Sequence, residues 1–194
     1  MKKSAAVFLD RDGTIIEDVG HVKRLSDVVF YPYTIESLKK LSRDHLLFII
    51  TNQSGIAKGI VTEDEVREVN TYILDYLQSQ GITITGLYYC PHKTEDNCHC
   101  KKPSPYFVLE ASKQHNVDLT NSFIIGDHPS DVECGVNAGI NPLYVLTGHG
   151  TKHKDELNGD VLIFDDLHRG TEHILSTLKQ NQADNVDPYQ RKPG

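Results

Sequence analysis

Four short apolar runs each stop at a polar residue that does not belong in a core. Ala5 to Leu9 runs into Asp10, Leu46 to Ile50 into Thr51, Leu87 to Tyr89 into Cys90, and Ser122 to Ile125 into Gly126 and Asp127. Runs of this length read as strands buried on both faces of a parallel sheet. Helical signals separate them. Ile35, Leu38 and Leu41 have loose helical spacing. Thr62 is an N-cap with Glu65 completing a capping box, followed by Val66, Val69, Ile73, Leu74 and Leu77 on one face and Gly81 as the stop. Ser104-Pro105 predicts a helix start with Ser as the cap, and Ser130 with Glu133 predicts a second capping box, opening a helix that ends at Gly139. Leu143 to Leu146 and Val161 to Phe164 are further strands, and Asp166 to Lys179 a last helix. The alternation predicts an α/β fold: a Rossmann-like parallel sheet with helices on both faces. The 194 residues suffice for one domain with a substantial core. That domain is expected over 1–180, with the polar stretch 181–194 as a mobile tail.

Ligands of such sheets bind beyond the carboxyl ends of the strands. The polar residues at those ends are therefore the candidate chemistry. Asp10-Arg11-Asp12-Gly13-Thr14 puts two acids one residue apart directly after a buried strand. One carboxylate can attack phosphorus while the other protonates the leaving oxygen and later activates water. Gly13 permits a sharp turn, and Thr14 can tie it. Asp127, with Asp131 four residues on, adds carboxylate to the same edge and completes a hard-oxygen site suited to Mg²⁺. Thr51 and Asn52 can donate to phosphate oxygens, and Lys102 can neutralise phosphate charge. Taken singly, Asp131 could simply favour a helix dipole and Lys102 could be a solvated lysine. Their joint placement at strand ends argues for a site.

Cys90-x-His92, five residues, then Cys98-x-Cys100 puts four ligands of zinc type on one short loop, residues 90–100. Three cysteines and a histidine suit closed, tetrahedral structural Zn²⁺, with no open position for catalysis. His99 is expected to be solvated and Cys134 to be a small buried hydrophobe. The loop runs directly into Lys101, Lys102 and Pro103, so a bound metal would fix where those lysines point.

These segments, in order, resemble the motifs of the haloacid dehalogenase superfamily: Asp10 to Thr14, Thr51-Asn52-Gln53, Lys102-Pro103, and Gly126-Asp127 with Asp131. The resemblance spans roughly Ala5 to Thr147. It implies Asp10 as a nucleophile that forms an aspartyl-phosphate and Asp12 as general acid and base. It implies Mg²⁺ held by Asp10, the Asp12 carbonyl and Asp127, and a phosphoryl group held by Thr51 and Lys102. Aspartate at position 12 is what phosphatases and mutases of the superfamily keep. Mutases generally carry a large cap domain. Only 40 residues lie between Asp10 and Thr51 and 50 between Thr51 and Lys102, which leaves no room for one. Hydrolysis is therefore expected.

The zinc loop narrows the resemblance to a capless, zinc-containing branch whose members act on a heptose 1,7-bisphosphate, at the 7-phosphate, or on histidinol phosphate. Thr51 to Gly59 looks more like the heptose enzymes, because histidinol phosphatases tend to have an acid where Ser54 stands. Lys101, His128 and Tyr106 stand where the branch often has arginine, lysine and glycine, all around the entrance by resemblance. Lys58, Lys101 and His128 could meet a second phosphate there. A phosphate-binding module without turnover is the remaining alternative, against which both Asp10 and Asp12 argue. The formal charge of −7 disfavours broad nucleic-acid binding. No apolar run approaches a membrane span, and nothing at the N-terminus reads as a signal peptide. The expected partner is a small phosphate ester, met in the cytoplasm by a monomer.

Overall fold

A computed structural model describes residues 3–184. Six parallel strands form the sheet: β1 (Ala6–Leu9), β2 (Leu46–Asn52), β3 (Gly86–Cys90), β4 (Phe123–Gly126), β5 (Asn141–Val145) and β6 (Leu162–Phe164). Their spatial order is β3-β2-β1-β4-β5-β6. The helices between and after them are α1 (Thr34–Leu41), α2 (Glu63–Ser79), α3 (Tyr106–His115), α4 (Pro129–Ala138), the single turn α5 (Gly150–His153) and α6 (Leu167–Asp184).

Side chains alternate across each strand, so one strand feeds two cores. Val7 and Leu9 point to the face covered by Leu38 and Leu41 of α1, Val69, Ile73 and Leu77 of α2, and Leu167 and Ile174 of α6. Ala6 and Phe8 point to the other face, where Val108 and Ala111 of α3 and Cys134 and Ala138 of α4 lie. Phe8 stacks on Phe48 at 5.0 Å between ring centroids. Cys134 is buried in this second core, as its isolated position suggested.

The chain winds outward from β1 through β2 to β3, then crosses back to place β4 on the other side of β1. The carboxyl ends of β1 and β4 thus diverge into opposite connections and open a crevice between them. Asp10 and Asp127 follow those two strands. Among the described residues no separate cap interrupts the winding. The stretch after Asp10 folds back on itself through bridges of Ile16 to Asp12 and to Phe30.

Several local readings hold. The Thr62 N–H donates to Glu65 Oε2 at 2.6 Å and the Glu65 N–H to Thr62 Oγ1 at 3.1 Å. Others are corrected. Helix α4 is capped by His128 and Asp131, not by Ser130 and Glu133: His128 N–H donates to Asp131 Oδ2 at 3.1 Å, and Ser130 N–H to His128 Nδ1 at 3.2 Å. Pro129 has no N–H to give and a preset φ, so it takes the first helical position and the cap falls on the residue before it. At α3 the N-cap position is Pro105, while Ser104 Oγ accepts from the Tyr106 N–H at 3.3 Å. Helix α6 continues past Lys179 to Asp184, into the expected tail, and the rest of that tail lies outside the described residues. No helix among the described residues is long and apolar enough to cross a membrane.

Candidate active site

The Asp10 N–H donates to Ile125 O at 2.9 Å, which ties the end of β1 to β4. The following turn is closed by backbone bonds, from Gly13 N–H to Ile16 O at 2.8 Å and from Ile15 N–H to Arg11 O at 3.0 Å. Thr14 does not tie it: its hydroxyl is buried with no hydrogen-bond partner among the described residues. Gly13 sits at φ +80°, and a Cβ there would overlap the Asp127 carboxylate. Glycine is thus needed both for the turn and for the approach of the second strand's acid.

Lys102 reaches into this crevice from the end of the loop that carries the cysteines and His92. Its ammonium lies 2.9 Å from Asp10 Oδ1 and 2.6 Å from Asp131 Oδ1, and donates to Ile50 O at 2.7 Å. Burial alone would lower its pKa, but Asp10 and Asp131 outweigh that and hold the lysine charged, above its ordinary value. Asn52, expected among the phosphate donors, has its carboxamide clipped to the Lys102 backbone. It accepts from the Lys102 N–H at 3.0 Å and donates to the Lys102 carbonyl at 3.2 Å. Gln53 Nε2 donates to Asp12 Oδ2 and to Thr51 Oγ1, each at 2.8 Å.

Asp12 is gripped from its other side by Arg11, whose Nε and Nη2 donate to its two oxygens at 3.1 and 3.0 Å. The Arg11 side chain is wholly buried and anchored by Asn70 of α2 at 2.7 Å. Sequence reading passed over Arg11. Its one signal is a guanidinium placed directly beside a strand-end acid.

Carboxylate oxygens of Asp10, Asp127 and Asp131 lie within 4.8 Å of one another. Among the described residues, Lys102 is the one ammonium buried with them. Burial foremost, with Asp131 and Asp12 adding and Lys102 opposing, pushes Asp10 up to about 7. Asp127 is pushed up to about 8 by burial and then by Asp10 and Asp131. Such an excess of clustered negative charge is relieved by a hard divalent cation, and an all-oxygen donor set suits one. The cluster includes Asp131, placed at this edge by the sequence, whereas the resemblance implies the Asp12 carbonyl as a ligand with Asp10 and Asp127.

Cys90, His92, Cys98 and Cys100 also converge within 4.8 Å. Sulfur separations are 3.2 Å for Cys90–Cys100, 3.6 Å for Cys90–Cys98 and 3.7 Å for Cys98–Cys100. His92 Nδ1 lies 3.6 and 3.4 Å from the sulfurs of Cys90 and Cys100. A tetrahedron with metal–sulfur bonds of about 2.3 Å has edges of roughly 3.8 Å, so the group fits one tetrahedral ion. His99, outside the group, is exposed.

A cleft of about 750 Å³ opens over the acids. Lys58, Lys101 and His128 line it as expected, and Lys93, His21, Asp18 and His149 join them. Lys93 follows a zinc ligand and could have been suspected from that. Nothing in the pattern around Asp18 or His149 points inward.

A doubly wound parallel sheet with an aspartate pair at its switch point, facing a buried lysine, defines the class of phosphoryl-transferring hydrolases. The HAD-hydrolase-like family model matches residues 99–170. The D-glycero-beta-D-manno-heptose-1,7-bisphosphate 7-phosphatase of Pasteurella multocida is 40% identical, covering 76% of this chain and 84% of that protein. The D-glycero-alpha-D-manno-heptose-1,7-bisphosphate 7-phosphatase of Campylobacter jejuni is 39% identical over 74% and 83%. The crystal structure of the D,D-heptose 1,7-bisphosphate phosphatase of B. bronchiseptica, complexed with magnesium and phosphate, superposes with a TM-score of 0.82 at 27% identity, covering 89% of this chain and 99% of that one. The chain belongs to this family of haloacid-dehalogenase-like phosphatases, and it is a phosphatase.

Proposed function

We propose that this phosphatase removes the 7-phosphate of D-glycero-D-manno-heptose 1,7-bisphosphate through an aspartyl-phosphate on Asp10. One observation carries the mechanism: Asp10 and Asp12 share a turn, with the Lys102 ammonium 2.9 Å from Asp10. The substrate rests on the relatives at about 40% identity, whose names specify that reaction.

In this reading Asp10 attacks phosphorus in line with the leaving sugar oxygen. Asp12 gives that oxygen a proton and then takes one from the water that cleaves the aspartyl-phosphate. Arg11 and Gln53 keep Asp12 aimed, and Lys102 and Thr51 meet the non-bridging oxygens. Asn52 acts through Lys102 by fixing its backbone. Mg²⁺, held by Asp10, Asp127 and the Asp12 carbonyl with Asp131 in support, would offset charge on the transferring group. Zn²⁺ in the Cys₃His group would order the loop that delivers Lys101 and Lys102. Lys58, Lys93, Lys101 and His128 favour a substrate with a second anionic group. They disfavour the cationic end of histidinol phosphate. We take the phosphatase as a single domain acting as a cytoplasmic monomer on a small phosphate ester.

The test is phosphate release from heptose 1,7-bisphosphate and from histidinol phosphate, side by side with Mg²⁺, with Asp10→Asn as control. Preference for the heptose and silence of the variant are expected. Preference for histidinol phosphate sinks the substrate, and an active Asp10→Asn sinks the nucleophile.

A further inference from the structure

Asp18 and His149 face each other across the mouth of the cleft, and the chemistry above uses neither. His149 Nε2 stands 2.8 Å from Asp18 Oδ2. The Asp18 side chain is 12% exposed and that of His149 48%, so the acid is the better buried of the two.

Each residue anchors a different wall. Asp18 lies beyond the turn that follows Asp10, and its Oδ1 accepts from the Gly20 N–H at 2.6 Å. That bond closes a tight local turn and sets Gly20 and His21 on the cleft lining. The His21 ring continues across to the loop after β2, occupying the space where a side chain at Gly55 would stand. Residues 18–21 therefore form a strap over the opening of a site that has no cap. His149 belongs to the loop after β5. Its backbone N–H donates to Asp127 Oδ2 at 2.6 Å. Two residues earlier, Thr147 Oγ1 donates to Gly13 O at 2.5 Å. Between them Gly148, at φ +52°, has the Asp127 carboxylate and the Gly13 Cα where a Cβ would be. This loop has no slack: moving His149 moves the amide that aims Asp127.

We propose that the Asp18–His149 pair is a clasp that joins the strap to the Asp127-holding loop, so that cleft opening and Asp127 orientation are coupled. Both are positioning residues, since neither contacts the reacting atoms. The inference rests on the reading of Asp127 as a Mg²⁺ ligand. Releasing the clasp frees the strap, which weakens substrate capture, and loosens the amide on Asp127, which weakens metal binding. Chemistry at saturating Mg²⁺ is little affected, because Asp10, Asp12 and Lys102 are held by other contacts.

The experiment compares the full-length, zinc-loaded protein with Asp18→Asn, His149→Ala, the double variant and His149→Lys, all at one pH. Asp18→Asn keeps an oxygen for the Gly20 N–H, and His149→Ala keeps the backbone amide on Asp127. Three readouts are taken: Mg²⁺ binding by calorimetry, hydrogen exchange of peptides spanning 17–22, and kinetics on heptose 1,7-bisphosphate at saturating Mg²⁺. Each single variant is expected to weaken Mg²⁺ binding and raise KM by about three- to fivefold, the scale of a partly exposed side-chain contact, with kcat within about twofold. Exchange at 17–22 should quicken, the double variant should be no worse than the worse single one, and His149→Lys should restore the wild-type values. Unchanged exchange at 17–22, or strictly additive effects in the double variant, would overturn the clasp. A wild-type protein that binds no Mg²⁺ overturns the site reading instead, because exchange at 17–22 reports the clasp without metal or turnover.

Discussion

Lys102 has three oxygen neighbours, Asp10, Asp131 and the Ile50 carbonyl, and almost no solvent. Its charge is sustained only by the acids around it. The converse does not hold: one ammonium cannot satisfy the clustered carboxylates, and Asp10 and Asp127 are displaced up to about 7 and about 8. A carboxyl must lose its proton to ligate a metal, so protons compete with Mg²⁺ below those values. Mg²⁺ affinity should therefore rise between about pH 6.5 and about pH 8.5, with protons released on binding. Calorimetry in buffers of different ionisation enthalpy checks both, and a pH-independent affinity would contradict the reading. The same sign governs stability. Without Mg²⁺ the folded state holds protons that the unfolded carboxyls, near 3.8, would have given up. Through this pair, metal-free stability falls as pH rises from about 4 past 8, and bound Mg²⁺ removes the effect. Asp12 is tested separately. Asp12→Asn should lower kcat by about 10²- to 10⁴-fold, the scale of general acid–base catalysis, with Mg²⁺ binding retained because the backbone carbonyl is unchanged. Wild-type kcat in that variant would remove Asp12 from the mechanism.

Among the elements, the loop between β3 and α3 has little apolar support of its own. Its buried side chains are Cys100, which belongs to the metal group itself with Cys90 at the strand end, and Lys102. An ion there would substitute for a core, and its loss would act on catalysis through Lys101 and Lys102. Stripping zinc with a zinc-selective chelator under excess Mg²⁺ should open residues 91–101 to proteolysis before the sheet unfolds, and kcat should fall with it. Cys100→Ser should mimic the treatment. A protease pattern and kcat unchanged after verified zinc loss would show that the loop stands without metal. The helix caps teach a related lesson. The α2 box was readable because Thr62 and Glu65 have no competitor nearby. At α4, Ser130 and Glu133 satisfy the same spacing, but Pro129 sets the start two residues earlier and gives the cap to His128 and Asp131.

Across the whole molecule, β1 is the shared wall of two cores and the support of Asp10. Phe8 is fully buried, stacked on Phe48 and packed toward α3 and α4. Phe8→Ala should cost about 3–5 kcal/mol of stability, read by urea unfolding, because a large cavity opens at the centre of the sheet. The folded fraction should keep near-normal kcat, since Asp10 remains bonded through its backbone to β4. A cost below about 1 kcal/mol would mean that the second core repacks freely. The strand order explains why so small a chain needs no separate domain to build a site. The crossover from β3 to β4 puts the ends of β1 and β4 side by side, and the acids are delivered by the sheet itself.

The order of strands and helices, the acids at strand ends and the Cys₃His loop were all legible in the chain. They depend on period, on abrupt changes of polarity and on ligand spacing, which are local properties. Asp10, Asp12, Asp127, Lys102 and the four metal-loop residues could be named for the same reason. Their partners could not. That Arg11 turns inward to Asp12, that Asn52 holds the Lys102 backbone, and that His149 joins Asp18 to Asp127 depend on contacts between segments 22 to 131 residues apart, or on a side chain's choice between core and solvent. No periodicity encodes that choice. It was decided when the two halves of the sheet closed around one crevice and each buried charge had to find a counterpart there.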